Sequence, residues 1–282
     1  MTSQGPEELL PSSATSLASR LGRDQARYQA ACPLFQCWPQ VSSRIRRAQH
    51  ILLLLDFDGT LAPLRDRPED VQLGNVTRQV LQRLVSHHRM TVVVVSGRRR
   101  ADLRERIGIR GVRYFGLHGW EDREGMSLPC HSQWLLLSAR LWLAESLRLP
   151  GIRLEDKEMS LAMHLRKAPA SAARELRNRI RDMVEMLGSE GLHVIEGSKV
   201  LELLPPEIRG KGAAVRDIVS RFPHPAFPIY VGDDGSDESA FAALSAGITI
   251  RVGRARGTAA RYTLRDTNDV RSFLERLEAK FS

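Results

Sequence analysis

Cysteine is scarce: the 282 residues hold three, Cys32, Cys37 and Cys130. So odd and sparse a set matches no zinc spacing; it suits a reducing compartment and is assigned no chemistry. No apolar run approaches the ~20 residues needed to cross a bilayer. The opening Met1-Thr2-Ser3-Gln4-Gly5-Pro6-Glu7-Glu8 also lacks the basic-then-apolar pattern of a secretory signal. A soluble, cytoplasmic protein is expected. Lysine is nearly as rare, with five (Lys157, Lys167, Lys199, Lys211, Lys280) in a chain of formal charge +9. The excess arginines are dispersed along helix-like segments and not interleaved with aromatics, so solvated helix faces are expected and nucleic-acid binding is not. In an arginine-dominated chain, a lysine within a motif is informative, because a compact point charge is wanted there.

What the chain does have is length and an apolar content of 42%, enough for one sizeable core plus a smaller second unit. The run Ile51-Leu52-Leu53-Leu54-Leu55 delivers Asp56-Phe57-Asp58-Gly59-Thr60. Five aliphatics bounded by acidic and Gly residues predict a strand buried on both faces, as in a parallel sheet. Ligands of such sheets bind beyond the carboxyl ends of the strands, where Asp56 stands. In an extended segment Asp58, two residues on, points the same way, and Gly59 permits a sharp turn that exposes both carboxylates. A calcium loop is excluded, since counting from Asp56 puts Leu61 and Arg67 where Gly and Glu are required.

Residues 1–44 are read as an extension with a short helix around Arg20–Ala31. From His50 the pattern is strand, helix Val76–His87, strand Thr91–Val95 and a helix from near Arg99, predicting a parallel sheet with right-handed crossovers. Farther on, Ser160, Ala162, His164 and Arg166 alternate with Leu161, Met163 and Leu165, marking an antiparallel strand with one solvated face. A helix Ala170–Leu187 and a hairpin, Leu192–Ile195 with Val200–Leu203 turning through Gly197-Ser198, follow. After Pro205-Pro206 the first pattern resumes with helix Lys211–Phe222, strand Pro228–Val231 and helix Asp269–Lys280. The expected fold is α/β: a Rossmann-like core over 45–117 and 206–282, interrupted by an α+β unit over 118–205.

Three further strand ends and helix starts carry chemistry. Ser96-Gly97-Arg98 offers a hydroxyl, a backbone amide and a guanidinium to phosphate oxygens, or else an N-cap for the next helix. Lys211 opens a helix, where a cation opposes the dipole and needs an anionic partner such as phosphate or Asp56. Gly232-Asp233-Asp234-Gly235-Ser236-Asp237-Glu238 gathers hard oxygen donors suited to Mg²⁺. Helix-dipole complementarity accounts for Asp237 and Glu238, which leaves Asp233 for the metal.

In this order the motifs resemble those of the haloacid dehalogenase superfamily. Within it the chain resembles the trehalose-6-phosphate phosphatase family through Gly116-Leu117-His118-Gly119, Glu155 with Lys157, His164-Leu165-Arg166, and Leu201-Glu202 before Pro205. The resemblance covers about residues 45–282. It implies a C2-type cap over 118–205 and Mg²⁺ held by Asp56, the Asp58 carbonyl and Asp233, with Asp234 and Asp237 in support. It implies Asp56 as nucleophile and Asp58 as acid then base, while Ser96 and Lys211 hold phosphate oxygens. Gly59, Thr60, Gly97 and Arg98 would line the phosphate, and His118, Glu155, Lys157, His164, Arg166 and Glu202 the sugar. His164 or Arg166 could equally be a solvated edge residue. The implied substrate is trehalose 6-phosphate, supplied by a separate synthase, because no residues remain for a glycosyltransferase domain. Sucrose or glucosylglycerol phosphate, or an inactive sugar-phosphate sensor, are the alternatives. Two departures bear on the sugar: Leu204 replaces the family's usual arginine, whose role passes to Arg209, and Trp120 either stacks on sugar or fills a hinge.

Overall fold

The computed structural model describes residues 31–281 apart from 147, 189, 198, 224, 255 and 256. In chain order the elements are β1 (Cys32–Pro33), α1 (Trp38–Arg47), β2 (Ile51–Leu55), α2 (Asn75–Ser86), β3 (Met90–Val95), α3 (Arg100–Ile107) and β4 (Arg113–Phe115). Then come α4 (Cys130–Ser146), β5 (Arg153–Asp156), β6 (Leu161–His164), α5 (Ala170–Leu187), β7 (His193–Gly197) and β8 (Val200–Leu204). The chain ends with α6 (Lys211–Ser220), β9 (Phe227–Gly232), α7 (Gly235–Ala243), β10 (Ile248–Val252), β11 (Tyr262–Leu264) and α8 (Thr267–Glu278).

Seven parallel strands form one sheet in the order β1-β11-β10-β9-β2-β3-β4. The aliphatic run explains its centre: Ile51, Leu53 and Leu55 enter the core on one face, Leu52 and Leu54 the core on the other, and all five are fully buried. A strand with no solvated face has no use for alternation. Truncating one of these leucines to alanine would cost about 2–5 kcal/mol. The order reverses beside β2, so the chain leaving β2 and β9 opens a crevice at the carboxyl edge.

A second sheet, β5-β6-β8-β7, is antiparallel. Leu161, Met163, Leu201 and Leu203 face Leu136, Leu143, Leu176 and Ile180 of α4 and α5. The opposite face carries Glu155, Ala162 and Glu202 in one row across three strands. That face is not solvated as the alternation suggested: Ser160 and Ala162 are fully buried, because it closes over the edge of the first sheet. The unit docks tightly, and a Cβ at Gly197 would overlap the Asp234 carboxylate.

Several expectations are corrected. The helix expected around Arg20–Ala31 lies, save for Ala31, outside the described residues. The described part of the expected extension belongs to the first unit: Cys32-Pro33 pairs with Tyr262-Thr263, and Leu34 and Val41 are core residues. Cys32 and Cys37 are joined as a disulfide, so two of the three cysteines do have a structural role. Arg166 lies past the end of β6, although it lines the same cavity as His164. No described helix is long and apolar enough to cross a membrane.

Candidate active site

Asp56 follows β2 directly and is 4% exposed. The chain turns at once through Gly59, whose φ is +78° and whose missing Cβ leaves room for the Asp233 carboxylate. Lys211 Nζ lies 2.9 Å from Asp56 Oδ1 and 2.7 Å from Asp237 Oδ1. The cation at the head of α6 therefore has the anionic partners its position requires. Asp237 is fully buried and accepts from four donors: Lys211, the Tyr230 hydroxyl at 2.6 Å, and the amides of Asp233 and Asp234. It also closes a capping box with Asp234 at the start of α7.

Asp56, Asp233 and Asp237 each place a carboxylate oxygen within 4.8 Å of the others. Asp237 is saturated by its donors, which leaves Asp56 and Asp233 free to ligate a cation. Burial, with the charges of Asp237 and Asp234, pushes the Asp233 carboxyl up to about 7. Burial likewise pushes Asp56 up against the opposing pull of Lys211, with Asp237 and Asp233 adding to the rise. Like charges held this close need a proton or a cation between them. Hard oxygen donors with this excess of negative charge fit a divalent cation such as Mg²⁺. Thr60, fully buried, reaches Asp233 Oδ1 at 3.4 Å, so it steadies a candidate ligand.

Asp58 and Ser96 line the same cavity, of about 670 Å³. Arg98 is placed there too, but four of its N–H groups are committed to protein: two to Asp58, one to Asp102 and one to the Pro68 carbonyl. Although burial opposes its charge, those carboxylates hold the guanidinium firmly protonated. Gly97 gives its carbonyl to Lys157 Nζ at 3.1 Å, and a Cβ there would press on the His118 ring.

The second sheet supplies the cavity's other wall. Glu202 is buried and accepts from Ser160 Oγ at 2.6 Å, Lys157 Nζ at 3.0 Å and His118 Nε2 at 2.9 Å. Burial alone would raise its carboxyl, yet Lys157 and His118 hold it far below the usual carboxylate range. His164 pairs with Glu155 at 2.5 Å, and that bond lowers Glu155 against its burial. Arg166 lines the rim, half-exposed, with Asp66 at 3.5 Å. Leu117 and His118 adopt left-handed φ of 47° and 57°, held by their amides on the Arg98 and Ser96 carbonyls.

Two expected substitutes lie elsewhere. Leu204 is fully buried beside Leu117 and Ile208, and Arg209 pairs with Asp217 in a separate cavity of about 460 Å³. Trp120 lines that second cavity and packs against both the second sheet's core and the Leu117–Leu204–Ile208 cluster. Sequence reasoning missed Tyr230, Ser160 and Glu121. Tyr230 had a signal, since a hydroxyl in a buried strand needs a partner. Ser160 shares an alternation with His164, whereas Glu121 depends on a turn that no local pattern reveals.

The profile of the trehalose-phosphatase family matches residues 54–268. The trehalose-phosphate phosphatase of Mycobacterium marinum is 33% identical over 252 residues, covering 82% of this chain and 62% of that protein. This chain thus spans less than two thirds of the length of that curated relative. Among solved structures, the C-terminal domain of C. albicans trehalose-6-phosphate phosphatase superposes with a TM-score of 0.77 at 22% identity, covering 90% of this chain and 99% of that one. The Aspergillus fumigatus trehalose-6-phosphate phosphatase gives 0.61 at 25% identity, covering 89% and 100%. With the family profile matched across most of the chain, on a fold and cavity of this form, the chain belongs to the trehalose-phosphatase family.

Proposed function

We propose that this chain hydrolyses trehalose 6-phosphate to trehalose and inorganic phosphate, through an aspartyl phosphate on Asp56 and with Mg²⁺. The carrying observation is the meeting, in one cavity, of the Asp56–Lys211–Asp233 cluster with the Glu202–Lys157–Glu155–His164 wall. The first suits a phosphoryl group, the second the hydroxyls of a sugar.

Lys211 holds one Asp56 oxygen, leaving the other to attack phosphorus. As that bond forms, the phosphorus–sugar oxygen bond breaks, and Asp58 passes its proton to the departing oxygen. Asp58 then takes a proton from water, whose oxygen attacks phosphorus and frees Asp56 and phosphate. Ser96 and Lys211 steady the remaining phosphoryl oxygens. Asp56, Asp233 and the Asp58 carbonyl would hold the Mg²⁺, which when bound neutralises charge between carboxylate and phosphate. The second sheet and its helices act as a cap whose closure excludes bulk water. The substrate would come from a separate synthase in the cytoplasm.

The test is phosphate release from a panel of disaccharide and monosaccharide phosphates, with Mg²⁺ or a chelator, for wild type and Asp56→Asn. Preference for trehalose 6-phosphate, abolished by chelator and by the substitution, is the expected result. A panel that ranks sucrose or glucosylglycerol phosphate first would keep the mechanism and replace the sugar. Binding without release would mean a sensor.

A further inference from the structure

Arg99 joins three segments that are distant in sequence. Its Nε and Nη2 reach Glu121 at 3.1–3.3 Å, and its Nη1 reaches the Lys157 carbonyl at 3.1 Å and Glu158 Oε2 at 2.7 Å. Glu121 is 6% exposed and also accepts the Arg100 amide at 2.7 Å, which fixes it at the joint between the two sheets. The Arg99 side chain is thus held ready by a buried carboxylate whose backbone is bridged to Gly116, just past β4 of the first sheet. Its remaining donors cross to the opposite side.

Lys157 is tied at both ends. Its carbonyl takes Arg99, while its ammonium returns to the carbonyl of Gly97 and to Glu202 Oε1. The turn that follows is sharp, since Glu158 has φ +66° and its amide bonds Asp156. A lysine ammonium on a flexible stem is a poor positioner unless its backbone is fixed. The fixed point here is the guanidinium, whose fork can serve a carboxylate and a carbonyl together. Opening the cleft would break the Arg99–Lys157 and Lys157–Gly97 bonds together, while Arg99–Glu121 could persist.

We propose that Arg99 is a positioning residue: it sets Lys157 against Glu202 in the closed cleft and thereby favours phosphates that carry a sugar. This rests on the phosphatase reading above. Arg99 itself acts only through the Lys157 backbone.

The experiment is a double-mutant cycle of Arg99→Ala and Lys157→Ala, read as kcat and KM on the sugar phosphate that wild type turns over best. Arg99→Ala is expected to raise KM about tenfold with Lys157 present, and less than about twofold when Lys157 is already alanine. Arg99→Lys should recover little, because one ammonium cannot replace the fork. Glu121→Gln, a second route to the same loosening should Arg99→Ala fail to fold, should also act on KM through Lys157. Additive penalties, or a loss confined to kcat, would overturn the assignment. A wild type that prefers a sugar phosphate other than trehalose 6-phosphate would overturn the substrate reading while leaving the cycle fully readable.

Discussion

Arg98 grips both carboxylate oxygens of Asp58, Nε to Oδ2 and Nη2 to Oδ1, each at 2.6 Å. A fork of this kind fixes the plane of the carboxyl group as well as its position. Both oxygens are occupied, so proton transfer to a leaving group requires one of the two bonds to open. If Arg98 works through Asp58, Arg98→Ala should lower kcat/KM by roughly ten- to a hundredfold, as expected for losing the orientation of an acid–base group. The same change made on Asp58→Asn should then cost little more. Independent, multiplying losses in steady-state kinetics would instead put Arg98 on the substrate.

Asp237 anchors the opposite side of the site. It is fully buried, and asparagine there would turn an NH₂ toward groups that are themselves donors. Asp237→Asn should cost about 3–5 kcal/mol of stability, the range for breaking a buried ion pair from one side. Urea unfolding measures it directly. A loss under about 1 kcal/mol would mean that Lys211 finds full compensation in Asp56.

Much of this was legible in the chain. The five aliphatics before Asp56, the valines before Ser96 and the strand before Asp233 placed three chemical groups at one sheet edge, because parallel strands deliver their carboxyl ends together. The alternation around Ala162 and His164 located the face of the second sheet that lines the cavity. Its burial was not legible, since that depends on two sheets closing over each other. Nor was the role of Thr60 or Gly59, each of which serves Asp233 across the crevice from far away in sequence. The elements α1, β4, α4, β5, β10 and β11 left no pattern read from the sequence, and β1 none because two residues carry no periodicity at all.

The charge of +9 also gains a location. Eleven arginines and lysines, among them Arg65, Arg67, Arg153, Arg166, Lys167 and Lys199, line the cavity against nine carboxylates. A mouth with this excess of positive charge would steer a phosphate dianion inward, and salt weakens such steering. Raising ionic strength from about 0.02 to 0.3 M should lower kcat/KM several-fold and leave kcat nearly constant. Replacing the exposed Arg65 and Arg67 together by serine should flatten that dependence. A salt-independent kcat/KM in wild type would remove the steering role.

If Asp233 holds the cation as proposed, it links metal binding to pH. With its carboxyl pushed up to about 7, the folded metal-free protein keeps a proton that the unfolded chain releases in the ordinary carboxylate range near ~4. Between those values the folded state binds more protons, so the contribution of Asp233 makes metal-free stability fall as pH rises toward 7, and no further beyond it. A cation requires the ionised form, so the proton competes with Mg²⁺ over the same interval. Apparent Mg²⁺ affinity, read from the rise in melting temperature with added metal, should strengthen by up to about tenfold per pH unit from 5 to 7 and level off above 8. Asp233→Asn should abolish the metal-induced rise. Equal stabilisation by Mg²⁺ at pH 5 and pH 8 would show that Asp233 is not the group whose proton the metal displaces.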